Sequence, residues 1–244
     1  MSERLDIQLF KRGMAKSREK AKDMITQGIV YVNTKQILKP SFILEDEDTV
    51  EIHGEVLPYV SRGGYKLEKA LSVFEISVEG KTAVDMGAST GGFTDVMLQN
   101  GISKVYAVDV GHNQLDEKIR NNNKVVNMEN TNIRNLTKED FYDKIQFIAI
   151  DTSFISLTLI LPVAFSIIEE DGDIVALIKP QFEVGKGNLG KGGVVKNSKL
   201  RDNAVKKIQS FVALSGFKVM DTIPSPINGG DGNIEYLIHI KKQQ

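Results

Sequence analysis

The fold is constrained most by the stretch Thr82-Ala83-Val84-Asp85-Met86-Gly87-Ala88-Ser89-Thr90-Gly91-Gly92-Phe93-Thr94-Asp95. Its apolar start, Thr82 to Val84, reads as a buried strand that ends in an acid and a glycine turn. A helical pattern follows through Phe93, Val96, Met97 and Leu98. Strand, glycine-rich loop and helix form the opening unit of a parallel sheet, and ligands in such sheets bind just beyond the carboxyl ends of the strands. Glycine lets the backbone approach a ligand, and the first turn of a helix offers unpaired N–H groups.

The pattern repeats downstream. Strands are predicted at Lys104–Val110, Val125–Met128, Phe147–Ile150 (ending at Asp151) and Ile174–Ile178 (ending at Lys179), with helical stretches between most of them. A helix over about Lys199–Ser215 leads to strands at Lys218–Ile223 and Ile234–Ile240. The glycine-rich link between these last two has no helical pattern and suggests a hairpin, hence one antiparallel edge strand and an antiparallel last strand. Alternating strands and helices define a doubly wound, Rossmann-like α/β domain. Upstream, Leu67, Ala70, Leu71 and Phe74 recur at helical spacing behind a hinge-like Ser61-Arg62-Gly63-Gly64.

The first sixty residues differ. Two short amphipathic helices, Arg4–Phe10 and Ala15–Ile25, are stopped by Gly13 and Gly28 and followed by strand-like pieces at Ile29–Val32, Phe42–Leu44 and Thr49–Ile52. This predicts a small α+β unit at 1–60 ahead of the α/β unit at 61–244, within what 244 residues allow. The net charge is only −1, so any affinity for nucleic acid must be local. It is local here: Lys11, Arg12, Lys16, Arg18, Lys20 and Lys22 face only Glu19 over the same span.

With no cysteine, disulfides, thiolate metal sites and a cysteine nucleophile are excluded. His53, His112 and His239 stand too far apart to suggest a metal or catalytic cluster, so no metal is expected. The start of the chain lacks a signal peptide's apolar core, and the longest apolar run, near Leu157–Ile168, is interrupted and short. A soluble, cytoplasmic protein without membrane contact is the expectation.

The order Arg4-Leu5-Asp6, Leu9, Gly13, Ser17-Arg18, Ala21, Ile25, Gly28, Val30, Val32-Asn33 and Lys39-Pro40-Ser41 resembles the S-four-type RNA-binding domain of ribosomal proteins. The resemblance implies that Arg4, Lys11, Arg12, Lys16, Arg18, Lys20 and Lys22 meet RNA phosphates, which positions RNA without reading its sequence. Thr34 stands where that family often has glycine.

The glycine loop lacks the second glycine of a dinucleotide fingerprint, with Ser89 in its place, and Gly190-Lys191 is followed by Gly192, so no phosphate loop is present. Asp85, Gly87, Ser89, Gly91 and Gly92 instead resemble the first motif of S-adenosylmethionine-dependent methyltransferases. Asp109 ends the second strand, where a carboxylate suits ribose hydroxyls, and Asn132 follows the third, within reach of an adenine.

Lys66, Asp151, Lys179 and Glu235, in the contexts Ser61-Arg62-Gly63-Gly64-Tyr65-Lys66-Leu67 and Ile178-Lys179-Pro180-Gln181-Phe182-Glu183, resemble the Lys-Asp-Lys-Glu tetrad of FtsJ-like 2′-O-ribose methyltransferases. An S-four-type domain joined to such a domain is similar to the TlyA family, often labelled hemolysin A. The resemblance implies methylation of cytidine 2′-hydroxyls in ribosomal RNA. A ribose hydroxyl is a weak nucleophile, so the chemistry needs in-line positioning and proton removal. Lys179 is the expected base; Lys66 would disfavour its protonated form and orient the hydroxyl, while Asp151 and Glu235 hold the amines.

Other chemistries fit less well. Cytosine C5 methylation needs a cysteine, and exocyclic-amine methylation usually places an Asn/Asp-Pro-Pro-aromatic motif where Asp151-Thr152-Ser153-Phe154 stands. The glycine- and lysine-rich segment 181–199 is long for a loop, and Lys186 and Lys191 are expected to meet RNA phosphates. Two alternatives remain: a non-catalytic RNA-binding or ribosome-assembly factor that kept the fold, and a membrane-lysing hemolysin, for which the sequence offers no apolar span or strongly amphipathic basic helix.

Overall fold

The computed structural model describes residues 2–45, 47–54, 57–229 and 232–242, without the side chain of Lys186. The chain divides into two compact units, Met1–Pro58 and Tyr59–Gln244.

In the first unit, β1 (Glu3–Arg4) pairs antiparallel with β4 (Ile43–Leu44), and β2 (Val30–Val32) lies between β3 (Lys35–Gln36) and β5 (Val50–Ile52). Helices α1 (Leu5–Lys11) and α2 (Arg18–Thr26) bury Leu5, Leu9, Ala21, Met24 and Ile25 against Val30, Val32 and Leu44. Helix α2 starts three residues later than its periodicity suggests. The Ser17 hydroxyl accepts the Lys20 N–H, a hydrogen bond that fixes an N-terminus, so Lys16 precedes the helix. The pair β1 was not legible because two residues carry no alternation.

The second unit is built on a seven-stranded sheet in the order β11-β12-β10-β9-β6-β7-β8. Its strands are β6 (Thr82–Met86), β7 (Lys104–Val108), β8 (Val125–Met128), β9 (Ile145–Ile150), β10 (Ile168–Ile178), β11 (Phe217–Pro224) and β12 (Tyr236–Lys242). From β8 to β10 all neighbours are parallel; β12 runs antiparallel to both β10 and β11. The alternation of side chains splits the core in two. Val84, Met86, Tyr106 and Val108 face α6 (Leu161–Ile167) and α8 (Ser198–Leu214). Ala83, Val105, Phe147 and Ala149 face α3 (Gly64–Val73) and α4 (Gly92–Gln99).

The expected hairpin forms; its last strand inserts between β10 and β11, so the antiparallel edge strand is β11. Strand β10 begins six residues early, because Glu169-Glu170-Asp171-Gly172 broke the apolar run while the backbone stayed extended through a register shift. Helices lie between most of the strands, as the pattern predicts; between β7 and β8 the helix is the four-residue α5 (Glu117–Arg120), and before β9 stand two 3-10 turns, Ile133–Asn135 and Lys138–Asp140.

Candidate active site

The inserted strand matters for the chemistry. Ile178, one residue before Lys179, is paired with Tyr236, one residue after Glu235. Because β12 is antiparallel, its start lies beside the carboxyl ends of β6, β7, β9 and β10. A parallel last strand would have sent Glu235 to the far end of the sheet.

At this end four charged side chains converge. Lys66, from the buried face of α3, donates to Glu235 Oε2 at 2.8 Å, and its Nζ lies 3.6 Å from Asp151 Oδ2. Lys179 Nζ stands 2.7 Å from Asp151 Oδ1 and donates to the Ser153 hydroxyl at 2.8 Å. Gln181 donates to the other oxygen of Glu235 at 3.3 Å. Asp151 therefore bridges the two amines, and Lys66 bridges the two acids. Lys66, Lys179 and Glu235 are buried; Asp151 is half-buried. Charges buried in mutual contact with hydrogen bonds are tolerable where isolated ones are not.

The glycine turn shares a crevice with this group. Ser61, Gly63, Gly87, Ala88, Ser89, Thr90, Gly92, Phe93, Asp151, Ser153 and Lys179 line it. The segment Ser61–Gly64, which looked like a hinge, thus forms part of the crevice wall; Asp95 accepts the Val60 N–H at 2.9 Å and so fixes its approach. A roomier groove of about 660 Å³ on the outer face of α3, lined by Tyr65, Glu68, Lys69, Ser72, Pro226 and Ile227, holds none of the converging charges. Chemistry rather than volume locates the site.

Asp85 is fully buried. The Thr94 hydroxyl donates to its Oδ2 at 2.7 Å, while Oδ1 has no hydrogen-bond partner. Burial pushes its carboxyl up to about 7 against the opposing Thr94 hydrogen bond, and the nearby Asp151 and Asp109 carboxylates add to the rise. Asp109, also buried, accepts the Ser89 N–H at 2.8 Å and the Gly111 N–H at 2.7 Å, one on each oxygen. It holds the glycine turn to the loop after β7, and each oxygen keeps a lone pair. Asn132 caps a 3-10 turn, its side-chain oxygen accepting from the Arg134 backbone; it is not among the crevice-lining residues.

Several residues that sequence reasoning passed over belong here. Phe154 is 92% exposed and held at φ +64° beside Phe182, at 5.2 Å between ring centroids, while Lys179 Nζ lies 6.0 Å from the Phe182 ring. Ser153 and Glu183 contact the same region. The usable signal was position: Ser153, two residues beyond the strand-end acid Asp151, lines the crevice, and Phe154 follows it directly. The segment after α7 (Pro180–Glu183) is tied down at Asn233, which accepts the Val195 N–H at 2.9 Å and donates to Gly193 O at 3.2 Å. Lys191 is exposed on it; the Lys186 side chain lies outside the described residues.

In the first unit the basic residues fall into two groups. Arg4 and Arg18 both bind the buried Asp6 carboxylate, at 2.9 and 3.0 Å. Lys11 pairs with Glu3, Arg12 donates to Gln8, and Lys20 pairs with Asp23. Lys16 and Lys22 are exposed and have no ion partner among the described residues. Also among these residues, no group of histidine, aspartate and glutamate could hold a metal ion, and no helix is long and apolar enough to cross a membrane.

A β6 with parallel strands on both sides, an antiparallel β12 beside β10, and acids at the ends of β6, β7 and β9 are the features of an α/β methyltransferase. The FtsJ-like methyltransferase family model matches residues 59–242 and the S4 domain model residues 3–50; the chain belongs to the FtsJ-like methyltransferase family, with an S4 domain in front. A Bacillus subtilis protein provisionally named as the rRNA methyltransferase YqxC is 49% identical over 98% of this chain and 85% of its own length. The 16S/23S rRNA (cytidine-2′-O)-methyltransferase TlyA of Mycobacterium tuberculosis is 40% identical over 98% and 90%. A solved Streptococcus thermophilus structure with a provisional hemolysin label has 46% identity and a TM-score of 0.77, covering 100% of this chain and 89% of that one.

Proposed function

We propose that this protein transfers a methyl group from S-adenosylmethionine to a ribose 2′-hydroxyl of ribosomal RNA, that the nucleotide is a cytidine, and that Lys179 is the base. The observation that carries this reading is the chain of alternating charges Lys179–Asp151–Lys66–Glu235, in contact at 2.7, 3.6 and 2.8 Å, next to the glycine turn. The relatives' names support the substrate class.

The residues of the turn fit the cofactor. Asp85 keeps a buried oxygen without a donor, and Gly87, Ser89 and Gly92 line the crevice. Asp85, Gly87, Ser89, Gly91, Gly92, Asp109 and Asn132 would hold it. When bound, the cofactor supplies a methyl group on positively charged sulfur.

The chain's own residues do the rest. Asp151 and Ser153 each contact the Lys179 amine, which leaves a neutral amine's lone pair free to face an acceptor hydroxyl. As the ribose oxygen forms its new carbon bond, the O–H proton passes to Lys179 Nζ, and Asp151 stabilises the resulting ammonium. Lys66, fixed between Asp151 and Glu235, donates toward the ribose and orients it. Phe154 offers an exposed ring on which the target base or its neighbour stacks. Lys191, Lys196 and Lys199, all exposed on the segment after α7, would meet RNA phosphates.

The test is incubation of the full-length protein with labelled cofactor and ribosomal subunits, followed by mass mapping of the RNA. A methyl group on a cytidine ribose is expected. In Lys179→Ala, transfer should fall by about 10²- to 10⁴-fold with cofactor affinity retained. Cofactor binding without transfer to any rRNA would favour a non-catalytic RNA-binding factor, and full activity in Lys179→Ala would remove Lys179 as base.

A further inference from the structure

We propose that Glu183 is the positioning residue of the acceptor side of the crevice, locking the Ser153–Leu157 loop against α7 so that Phe154 stands in place beside Lys179. The inference rests on the reading of this crevice as the RNA-acceptor site. Glu183 is a carboxylate with its side chain only 1% exposed. One oxygen accepts the Leu157 N–H at 2.7 Å; the other accepts the Ser156 hydroxyl at 2.7 Å and pairs with Lys207 Nζ, also at 2.7 Å. A buried carboxylate with three donors is satisfied, and its charge makes each of those bonds strong.

What these donors belong to gives the bond set its purpose. Leu157 and Ser156 end the loop that begins at Asp151, continues through Ser153, the partner of Lys179, and carries Phe154 at φ +64°. Glu183 itself closes α7, the four-residue helix that starts directly after Lys179 and contains Phe182, the ring against Phe154. The two walls of the crevice come from different strands, β9 and β10, and Glu183 ties the end of one to the end of the other. A loop holding a bulky residue in the left-handed region needs an external anchor, since that conformation is unfavourable on its own. Lys207 adds α8 to the same joint.

A residue that only supported the fold would affect cofactor binding and RNA methylation alike. A positioning residue would not. The test uses the full-length protein with S-adenosylmethionine and ribosomal subunits. In Glu183→Gln the cofactor Kd should stay within about twofold of wild type while kcat/KM for RNA falls by about 10- to 100-fold, the scale of a misplaced reacting group. Ser156→Ala should lower kcat/KM by less, and should add nothing in the Glu183→Gln background, because both remove the same restraint. Phe154→Trp gives the chain its only tryptophan, and adding Glu183→Gln should lower its fluorescence anisotropy. Unchanged kcat/KM in Glu183→Gln, a parallel loss of cofactor affinity, or additive effects of the two variants would each overturn the assignment. If Glu183→Gln does not fold, Ser156→Ala alone decides: unchanged kcat/KM overturns the proposal. Full activity in Lys179→Ala would instead sink the underlying reading, whatever the Glu183 variants do.

Discussion

A Cβ on Gly87 would lie 2.6 Å from the backbone carbonyl oxygen of Asp151. The glycine turn after β6 and the strand end that carries the bridging acid are therefore in direct backbone contact. Gly87 also sits at φ +92°, where an L-residue is strained by about 1–2 kcal/mol, and a carbonyl cannot swing away as a flexible side chain could. Gly87→Ala should push β6 and β9 apart at their carboxyl ends. We expect a lower melting temperature by calorimetry and at least about a tenfold weaker cofactor by equilibrium dialysis, beyond what strain alone would give.

Phe154 pairs exposure with strain, and the two point to function together. A phenylalanine in the left-handed region, 92% exposed, gains nothing from burial. Phe154→Gly should relieve the strain and stabilise the fold by about 1 kcal/mol, seen as a higher denaturant midpoint. The same variant should lose about 1–3 kcal/mol of stacking with a base, a fall of about 5- to 150-fold in kcat/KM for RNA. A variant that is both more stable and fully active would remove Phe154 from the acceptor site.

How much of this was legible depended on range. The strand-end residues Asp85, Asp109, Asp151 and Lys179 were readable, because a local apolar run followed by a polar residue is a short-range pattern. That Glu235 joins them was implied by resemblance alone; nothing local in the sequence shows that β12 slips between β10 and β11, and that insertion brings Glu235 beside Lys179. Arg4 and Arg18 looked like two more cations on a basic face, but their partner Asp6 is buried, and burial is not a local property. Glu183 was quoted within a motif and its role missed, because its donors lie 24 to 27 residues away.

Asp85 should make cofactor binding depend on pH. Burial raises its folded-state carboxyl to about 7, above its ordinary value of 3.8, and Asp151 and Asp109 reinforce this. Its contribution to stability is present below about pH 4 and is lost as pH rises through about 7, where the folded state must hold an ionised, half-satisfied carboxylate. A cofactor of net positive charge favours that ionised form. Affinity should rise between pH 6 and about 8 and then level off, with protons released on binding near neutral pH. Titration calorimetry in buffers of different ionisation enthalpy measures both. In Asp85→Asn the protein should gain stability at pH 8, bind cofactor more weakly and release no such protons. A flat affinity profile in the wild type would show that Asp85 does not couple to the ligand.

The basic residues of the first unit should not contribute equally to RNA binding. Asp6 is buried, and burial alone would raise its carboxyl; the Arg4 and Arg18 guanidinium groups outweigh this and hold it below its ordinary value. Removing Arg18 leaves that carboxylate with one cation fewer, so Arg18→Ala should lower the melting temperature as well as weaken RNA binding. Lys16 and Lys22 have no ion partner among the described residues to give up. Each is free to displace a counterion from a phosphate, so Lys16→Ala and Lys22→Ala should leave stability unchanged. Each should also reduce the slope of log Kd against log salt concentration by about 0.7 to 1. Filter binding of a ribosomal RNA fragment between 50 and about 200 mM salt resolves a change of that size. An unchanged slope in the Lys16→Ala, Lys22→Ala double variant would mean that this face does not meet phosphate.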